Sequence, residues 1–165
     1  MLRHMIDNSF LSDSQHGFVK GRSCTTQLLQ AVDKLSEIID QGGSVDLIYL
    51  DFSKAFDSVP HQRLLLKLES YGVGGYVLGW NRSFLTARLQ KVAVGGALSS
   101  WVEVLSGVPQ GSVLGPVLFV CYINDMPDTI ASFVFMYADD AKVGRNINCD
   151  ADRTELQMDL DKLGE

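Results

Sequence analysis

Two apolar, β-prone stretches, Ser132-Phe133-Val134-Phe135-Met136-Tyr137 and Ala141-Lys142-Val143, are separated only by Ala138-Asp139-Asp140. So short a connection points to an antiparallel hairpin with an acidic tip. A third stretch, Val45-Asp46-Leu47-Ile48-Tyr49-Leu50, follows Gly42-Gly43 and ends at Asp51. It reads as a buried strand. A carboxylate closing a buried strand is costly unless something compensates it, and adjacent aspartates repel each other. A hard divalent cation resolves both conflicts, because Mg²⁺ takes oxygen ligands and keeps positions open for phosphate. Two such ions can clamp the attacking and leaving oxygens of an in-line phosphoryl transfer. A strand Asp with a hairpin Asp-Asp is therefore the hardware expected for two-metal nucleotidyl transfer. Plainer readings exist for each part: Asp-Asp in a turn is usually solvated, and Asp51 suits the cap of the following Phe52 to Asp57 segment.

The rest of the chain alternates helix-like and strand-like stretches. Gln27 to Ile39 carries Leu28, Ala31, Val32, Leu35, Ile38 and Ile39 at helical spacing, with Ser23, Thr25 or Thr26 as cap and Gly42-Gly43 as stop. Pro60 opens a helix through Leu64, Leu65, Leu68 and Tyr71, and a second is expected from Tyr76 to Leu89. Lys91 to Val94, Gly95-Gly96 and Trp101 to Leu105 read as strand, turn and strand. Gly107 to Ser112 is a loop, Pro116 to Met126 a buried helix ended by Pro127, and Asp150 to Leu163 an amphipathic tail. Helices mixed with hairpins indicate an α+β layer: an antiparallel sheet with helices on one face.

Composition narrows the class. Of 165 residues, 46% are hydrophobic and 21% charged, which is globular rather than disordered. The longest apolar run, Val113 to Ile123, is well short of the ~20 residues a membrane helix needs, so no membrane association is expected. Met1 to Asp7 has neither the apolar core nor the cleavage site of a signal peptide. Lys and Arg number 14 against 20 Asp and Glu, for a net charge of −6. Alone, that argues against a free-standing nucleic-acid binder. Cys24, Cys121 and Cys149 are odd in number and lack C-x-x-C spacing, which suits reduced thiols in an intracellular setting. Cys121, in an apolar run, reads as a small core residue.

Four segments carry a family resemblance. Leu50-Asp51-Phe52-Ser53-Lys54-Ala55-Phe56-Asp57-Ser58-Val59-Pro60-His61 resembles motif A of reverse transcriptases from non-LTR (LINE-type) retrotransposons. Ser106-Gly107-Val108-Pro109-Gln110-Gly111-Ser112-Val113-Leu114-Gly115-Pro116 resembles their motif B, and Tyr137-Ala138-Asp139-Asp140 their motif C. Gln15-His16-Gly17-Phe18-Val19-Lys20-Gly21-Arg22-Ser23 is similar to the fingers motif upstream of motif A. The order is right, nearly the whole chain is covered, and the nearest likeness is the jockey and CR1 group.

The resemblance implies a right-hand polymerase fold, with partial fingers over residues 1–44 and a palm over 45–165. It implies a catalytic triad of Asp51, Asp139 and Asp140, with the backbone carbonyl of Phe52 completing the shell of one of two Mg²⁺ ions (Mn²⁺ being the alternative). Phe56 matches the bulky gate under the sugar that selects dNTP over rNTP. Lys54 and Ala55 would meet the triphosphate, and Gln110 and Gly111 would line the nucleotide pocket. Tyr137 would lie beside the primer end, where many relatives have Phe. Lys20, Arg22, Arg88 and Lys91 are candidate contacts to nucleic acid, although a solvated surface charge explains each equally well. His4, His16 and His61 show no ligand spacing.

The implied partners are an RNA template, a DNA primer and a dNTP, in the nucleus or a cytoplasmic ribonucleoprotein. Thumb, endonuclease, the first fingers block and the motif D lysine are expected to be missing, since Lys162 comes too early for the last. The competing expectation is a catalytically inactive transposon remnant or a host-adopted nucleic-acid-binding or interaction module. A different metal-dependent phosphotransferase or nuclease would share the triad but leave motif B unexplained.

Overall fold

The computed structural model describes residues 1–164; Glu165, the last residue of the expected palm segment, lies outside the described residues. In chain order the elements are α1 (Leu2–Asp7), α2 (Cys24–Asp40), β1 (Ser44–Asp51), α3 (Ala55–Ser58), α4 (His61–Ser70) and α5 (Gly75–Leu85). Four short strands follow, β2 (Leu89–Gln90), β3 (Ala93–Val94), β4 (Ala97–Leu98) and β5 (Val102–Glu103). Then come α6 (Leu114–Ile123), a 3₁₀ turn (Met126–Thr129), β6 (Phe133–Tyr137), β7 (Asp140–Ile147) and α7 (Asp150–Gly164). Helices and antiparallel sheets are mixed, as an α+β chain requires.

The chain divides into two compact units. One, the sheet unit, comprises Ile6–Phe52 and the chain from Ile123 onward. The other, the insert unit, comprises Met1–Met5 and Ser53–Tyr122.

The sheet unit is built on three antiparallel strands in the order β1-β7-β6. The register pairs Ser44 with Ile147 at one end and Asp51 with Asp140 at the other. Alternation then sends Val134, Met136, Ala141 and Val143 to a single core cluster with Met126 and Leu156. Ile48, Leu50 and Phe52 pack against it from β1 and its end, and Leu160 and Leu163 from α7. Strand β7 runs four residues beyond the expected Val143, because β1 offers it a full-length partner.

Strand β1 itself departs from expectation. It lies at the edge of the sheet, and none of its eight residues is buried. Helix α2 starts three residues before the expected Gln27, and of the three caps the sequence offers Ser23 is the one used, accepting from the backbone of Thr26 in a capping box. Its buried side chains, however, are Gln27, Ala31 and Ile38, while Leu28, Val32 and Ile39 are exposed. Apolar residues occupy two adjoining faces of this helix, and periodicity does not rank them.

One buried acid ties α7 to the sheet. Asp159 is 2% exposed and accepts from Ala131 N (3.1 Å), Ser132 N (2.9 Å), Ser132 Oγ (2.8 Å) and Lys162 Nζ (3.1 Å). Burial pushes its carboxyl up, but these donors outweigh that and hold it at about 2. A group held below its unfolded value of 3.8 stabilises fully above that pH and loses the contribution as pH falls toward 2. The contribution is about 2 kcal/mol. Melting temperature is therefore expected to fall steeply between pH 4 and pH 2 in the wild type, and Asp159→Asn to melt lower at pH 7 with a flatter acid limb. Parallel limbs in the two proteins would reject this assignment.

The insert unit contains α3 to α6 and the four short strands. Helix α5 stops four residues before the expected Leu89, where Thr86 turns extended and Ala87 takes φ 55°. Gly95 and Gly96, both at positive φ, turn β3 into β4, so the strand after the glycine pair is Ala97–Leu98. Val102–Glu103 pairs with Leu89–Gln90 instead. The hairpin is thus longer than expected and broken into two short ladders. Helix α6 buries Gly115, Leu118, Phe119, Val120 and Cys121. Burial pushes the Cys121 thiol up to about 11, as an inert core residue requires. After it, Pro127 opens the 3₁₀ turn rather than merely ending a helix.

Candidate active site

In the sheet unit, register alone gathers the acidic residues. Asp51 pairs with Asp140, and Asp140 pairs with Tyr137. Directly opposite residues share a face, so Tyr137, Asp140 and Asp51 form one row across the sheet's end. Asp139 sits beside that row, in the two-residue turn between β6 and β7. The next row on the same face is Phe135, Lys142 and Tyr49, with the Lys142 ammonium 5.6 Å from the Tyr49 ring centre.

Asp51 and Asp140 are exposed and Asp139 is half-buried. An edge strand leaves Asp51 in water, so the desolvation conflict expected for a buried strand end does not arise. Like charges facing each other across a ladder remain unfavourable. Among the described residues, no three His, Cys, Asp or Glu side chains are drawn into a ready-made metal cage. The donor set of carboxylate oxygens in one row and its adjoining turn nonetheless has the chemistry of a Mg²⁺ or Mn²⁺ site. Phe52 packs its ring against the core of the same unit.

The turn is conformationally special. Ala138 has φ 56°, while Asp139 does not share the positive region. Two-residue hairpin loops of this pattern normally place glycine first. Alanine there costs about 1 kcal/mol, so something must hold it. The carboxamide of Gln15 does: it accepts from Ala138 N at 2.8 Å and is fully buried. Sequence reading placed Gln15 in the fingers motif without giving it a role, because nothing local marks a partner 123 residues away.

Arg22, a candidate nucleic-acid contact, donates to Ser12 O (2.7 Å) and Gln15 O (2.6 Å) and pairs with Asp13 (2.8 Å). Its guanidinium shapes the loop that carries Gln15. Lys20 is exposed.

In the insert unit, the segments of motifs A and B are joined backbone to backbone. Val108 N donates to Phe56 O, and Gly107 N to Val59 O, each at 2.8 Å. Ser106 Oγ donates to Asp57 O, and Gln110 Nε2 to Asp57 Oδ1, again at 2.8 Å. The buried His61 ring nitrogen lies 2.9 Å from Gly107 O, so its role here is a structural hydrogen bond. Lys54 takes φ 50° just before α3 and stays exposed. The Phe56 ring stacks on Phe119 with centroids 4.1 Å apart.

These bonds bring Phe56, Gln110 and Gly111 together with Pro109 and Pro116 around a cavity of about 260 Å³. A neighbouring cavity of about 370 Å³ is lined by Arg88, Asp57 and Gln110 among others. The Arg88 guanidinium lies over Phe84 (5.8 Å) and the Lys91 ammonium over Trp101 (4.6 Å). The sequence candidates are thus divided: Asp51, Phe52, Asp139, Asp140, Tyr137, Lys20 and Arg22 lie in the sheet unit, and Lys54, Ala55, Phe56, Arg88, Lys91, Gln110 and Gly111 in the insert unit, where Phe56, Arg88, Gln110 and Gly111 line the two cavities.

A family model described as "Reverse transcriptase (RNA-dependent DNA polymerase)" matches residues 1–163, and the chain belongs to that family.

Several of its relatives come from non-LTR mobile elements. The "Probable RNA-directed DNA polymerase from transposon X-element" of Drosophila melanogaster is 33% identical over 153 residues, 90% of this chain and 17% of that protein. The "RNA-directed DNA polymerase from mobile element jockey" of Drosophila funebris is 31% identical over 183 residues, 100% of this chain and 20% of the relative. A "Retrovirus-related Pol polyprotein from type-1 retrotransposable element R2" from Popillia japonica is 29% identical over 86 residues, 52% of this chain and 14% of its own length. The chain thus spans a fifth or less of these relatives. No described helix is long and apolar enough to cross a membrane.

Proposed function

We propose that this chain carries the nucleotidyl-transfer centre of an RNA-directed DNA polymerase, with residues 1–44 as partial fingers and 45 onward as palm. The observation that supports it most is the pairing of Asp51 with Asp140, with Asp139 in the adjoining turn. Asp51, Asp139, Asp140 and the Phe52 carbonyl would hold two Mg²⁺ or Mn²⁺ ions. Held there, two such ions would supply Lewis-acid charge beside a primer 3′-hydroxyl and a departing pyrophosphate. Lys54 and Ala55 would meet the triphosphate, and Gln110 and Gly111 would line the nucleotide pocket. Lys20, Arg22, Arg88 and Lys91 would contact nucleic acid, and Tyr137 the primer end. Template RNA, DNA primer and dNTP are the substrates on this reading.

Extension of oligo(dT) on poly(rA) with dTTP and Mg²⁺ tests it. The expected result is extension that Mg²⁺ chelation abolishes. Failure to extend, with Mg²⁺ binding retained, would reduce the chain to a binding module.

Phe56 offers a sharper test of substrate class. With its ring fixed on Phe119, it is the bulky group expected beneath the sugar. Phe56→Val is expected to raise ribonucleotide over deoxyribonucleotide incorporation roughly 10–100-fold. It should also lose about 1 kcal/mol of aromatic stacking. An unchanged ratio of rUTP to dTTP incorporation would remove the gate.

A further inference from the structure

The carboxylate-bearing turn is held from outside its own hairpin. Gln15 Oε1 accepts from Ala138 N at 2.8 Å and from Gly17 N at 2.7 Å, while Nε2 faces Ala138 O at 3.4 Å. One amide thus engages both polar groups of the residue preceding Asp139. Backbone bonds flank the contact: Met136 N donates to Ser14 O and His16 N to Met136 O, each at 2.9 Å. Gly17 closes it sterically, since a Cβ there would lie 2.3 Å from Ala138 N. All these residues belong to the sheet unit.

The chemistry explains why an amide is needed. The left-handed Ala138 presents its N–H and its C=O to the same buried amide, with Gln15 0% and Ala138 4% exposed. Left unpaired, such groups cost about 1–3 kcal/mol. A carboxylate could accept but not donate, and would add negative charge beside Asp139 and Asp140. An ammonium could donate but not accept. Gln has both functions and no charge.

We infer that Gln15 is a positioning residue: it fixes the Ala138 peptide, and through that turn sets where the Asp139 carboxylate stands. The consequence for catalysis rests on the proposed metal role of Asp139; the clamp itself does not.

The test uses the full chain and Gln15→Met, which keeps length but removes both hydrogen-bonding functions. Amide hydrogen exchange is read by NMR, and Mn²⁺ affinity by calorimetry. Exchange at Ala138 is expected to accelerate at least about tenfold, while Val134 and Val143 in the strand interiors keep their rates. The Mn²⁺ Kd is expected to rise roughly 10–100-fold, the range typical for groups that orient metal ligands.

Unchanged exchange at Ala138 overturns the inference. So does faster exchange with an unchanged Mn²⁺ Kd, since the carboxylate would then not depend on the clamp. Should Gln15→Met fail to fold, the wild type decides: an Ala138 amide exchanging at its free rate rejects the clamp, and a protected one supports it. Failure of the polymerase reading looks different. There the wild type binds no Mn²⁺ while Ala138 exchange still responds to Gln15→Met, which leaves the clamp standing.

Discussion

Asp139→Asn is expected to lower primer extension by at least about 10²-fold while leaving the melting temperature unchanged or slightly raised. The substitution keeps the size of the side chain and its place in the β6–β7 turn. It removes one negative charge from a site where Asp51 and Asp140 already face each other. Folding therefore loses nothing and sheds a repulsion. What disappears is an anionic oxygen donor, and losing one preorganised electrostatic group typically costs about 10²–10³ in rate. Measured together, extension and thermal unfolding separate the two roles. Full activity in a well-folded Asp139→Asn would end the case for a metal ligand there; lost activity with a collapsed melt would make Asp139 merely structural.

Gly107→Ala is expected to give the largest stability loss among single-methyl changes in the insert unit. Gly107 has φ +90°, and a Cβ would lie 2.7 Å from both the Cα and the carbonyl oxygen of Asp57. Neither atom can move aside, because Asp57 O is already engaged by Ser106 Oγ. Left-handed strain contributes about 1–2 kcal/mol, and forced overpacking about 1–3 kcal/mol. Gly111→Ala makes the control: its φ is +78°, yet nothing lies within 4 Å of the new methyl. It should show the strain alone. Urea unfolding of both variants would rank them, and equal losses would mean that contact with Asp57 is unimportant.

Much of this architecture was legible from sequence where local chemistry decides. Ser23 and the glycine pair bounded α2, Gly95-Gly96 announced a hairpin, and short spacing around Asp139-Asp140 forced another. The family resemblance supplied what periodicity does not, the grouping of Asp51 with Asp139 and with Asp140, which lies 89 residues further on. What stayed hidden depends on partners distant in the chain. No local pattern makes β1 an edge strand, so Asp51 was expected to be buried. Gln27, polar and buried, lies where an apolar stripe pointed to its neighbour Leu28. Gln15 and Asp159 are likewise explained only by what they bond to, Ala138 and Ser132. Those two polar groups hold the sheet unit's turn and helix, and their types alone suggest surface positions.

The long separation between β1 and its partner also bears on synthesis. Among the described residues, strand β1 pairs only with β7, whose first residue is Asp140. On a ribosome adding about 5–20 residues per second, its mate emerges roughly 4–18 seconds later. Throughout that interval Val45 to Leu50 is a β-prone segment with both edges open, the form most prone to pair with other chains. A nascent chain halted before Asp140 would hold one carboxylate of the row and no sheet to set it in. Pairing of Val45 to Leu50 with another chain before Asp140 emerges is therefore the misfolding route this topology leaves most open.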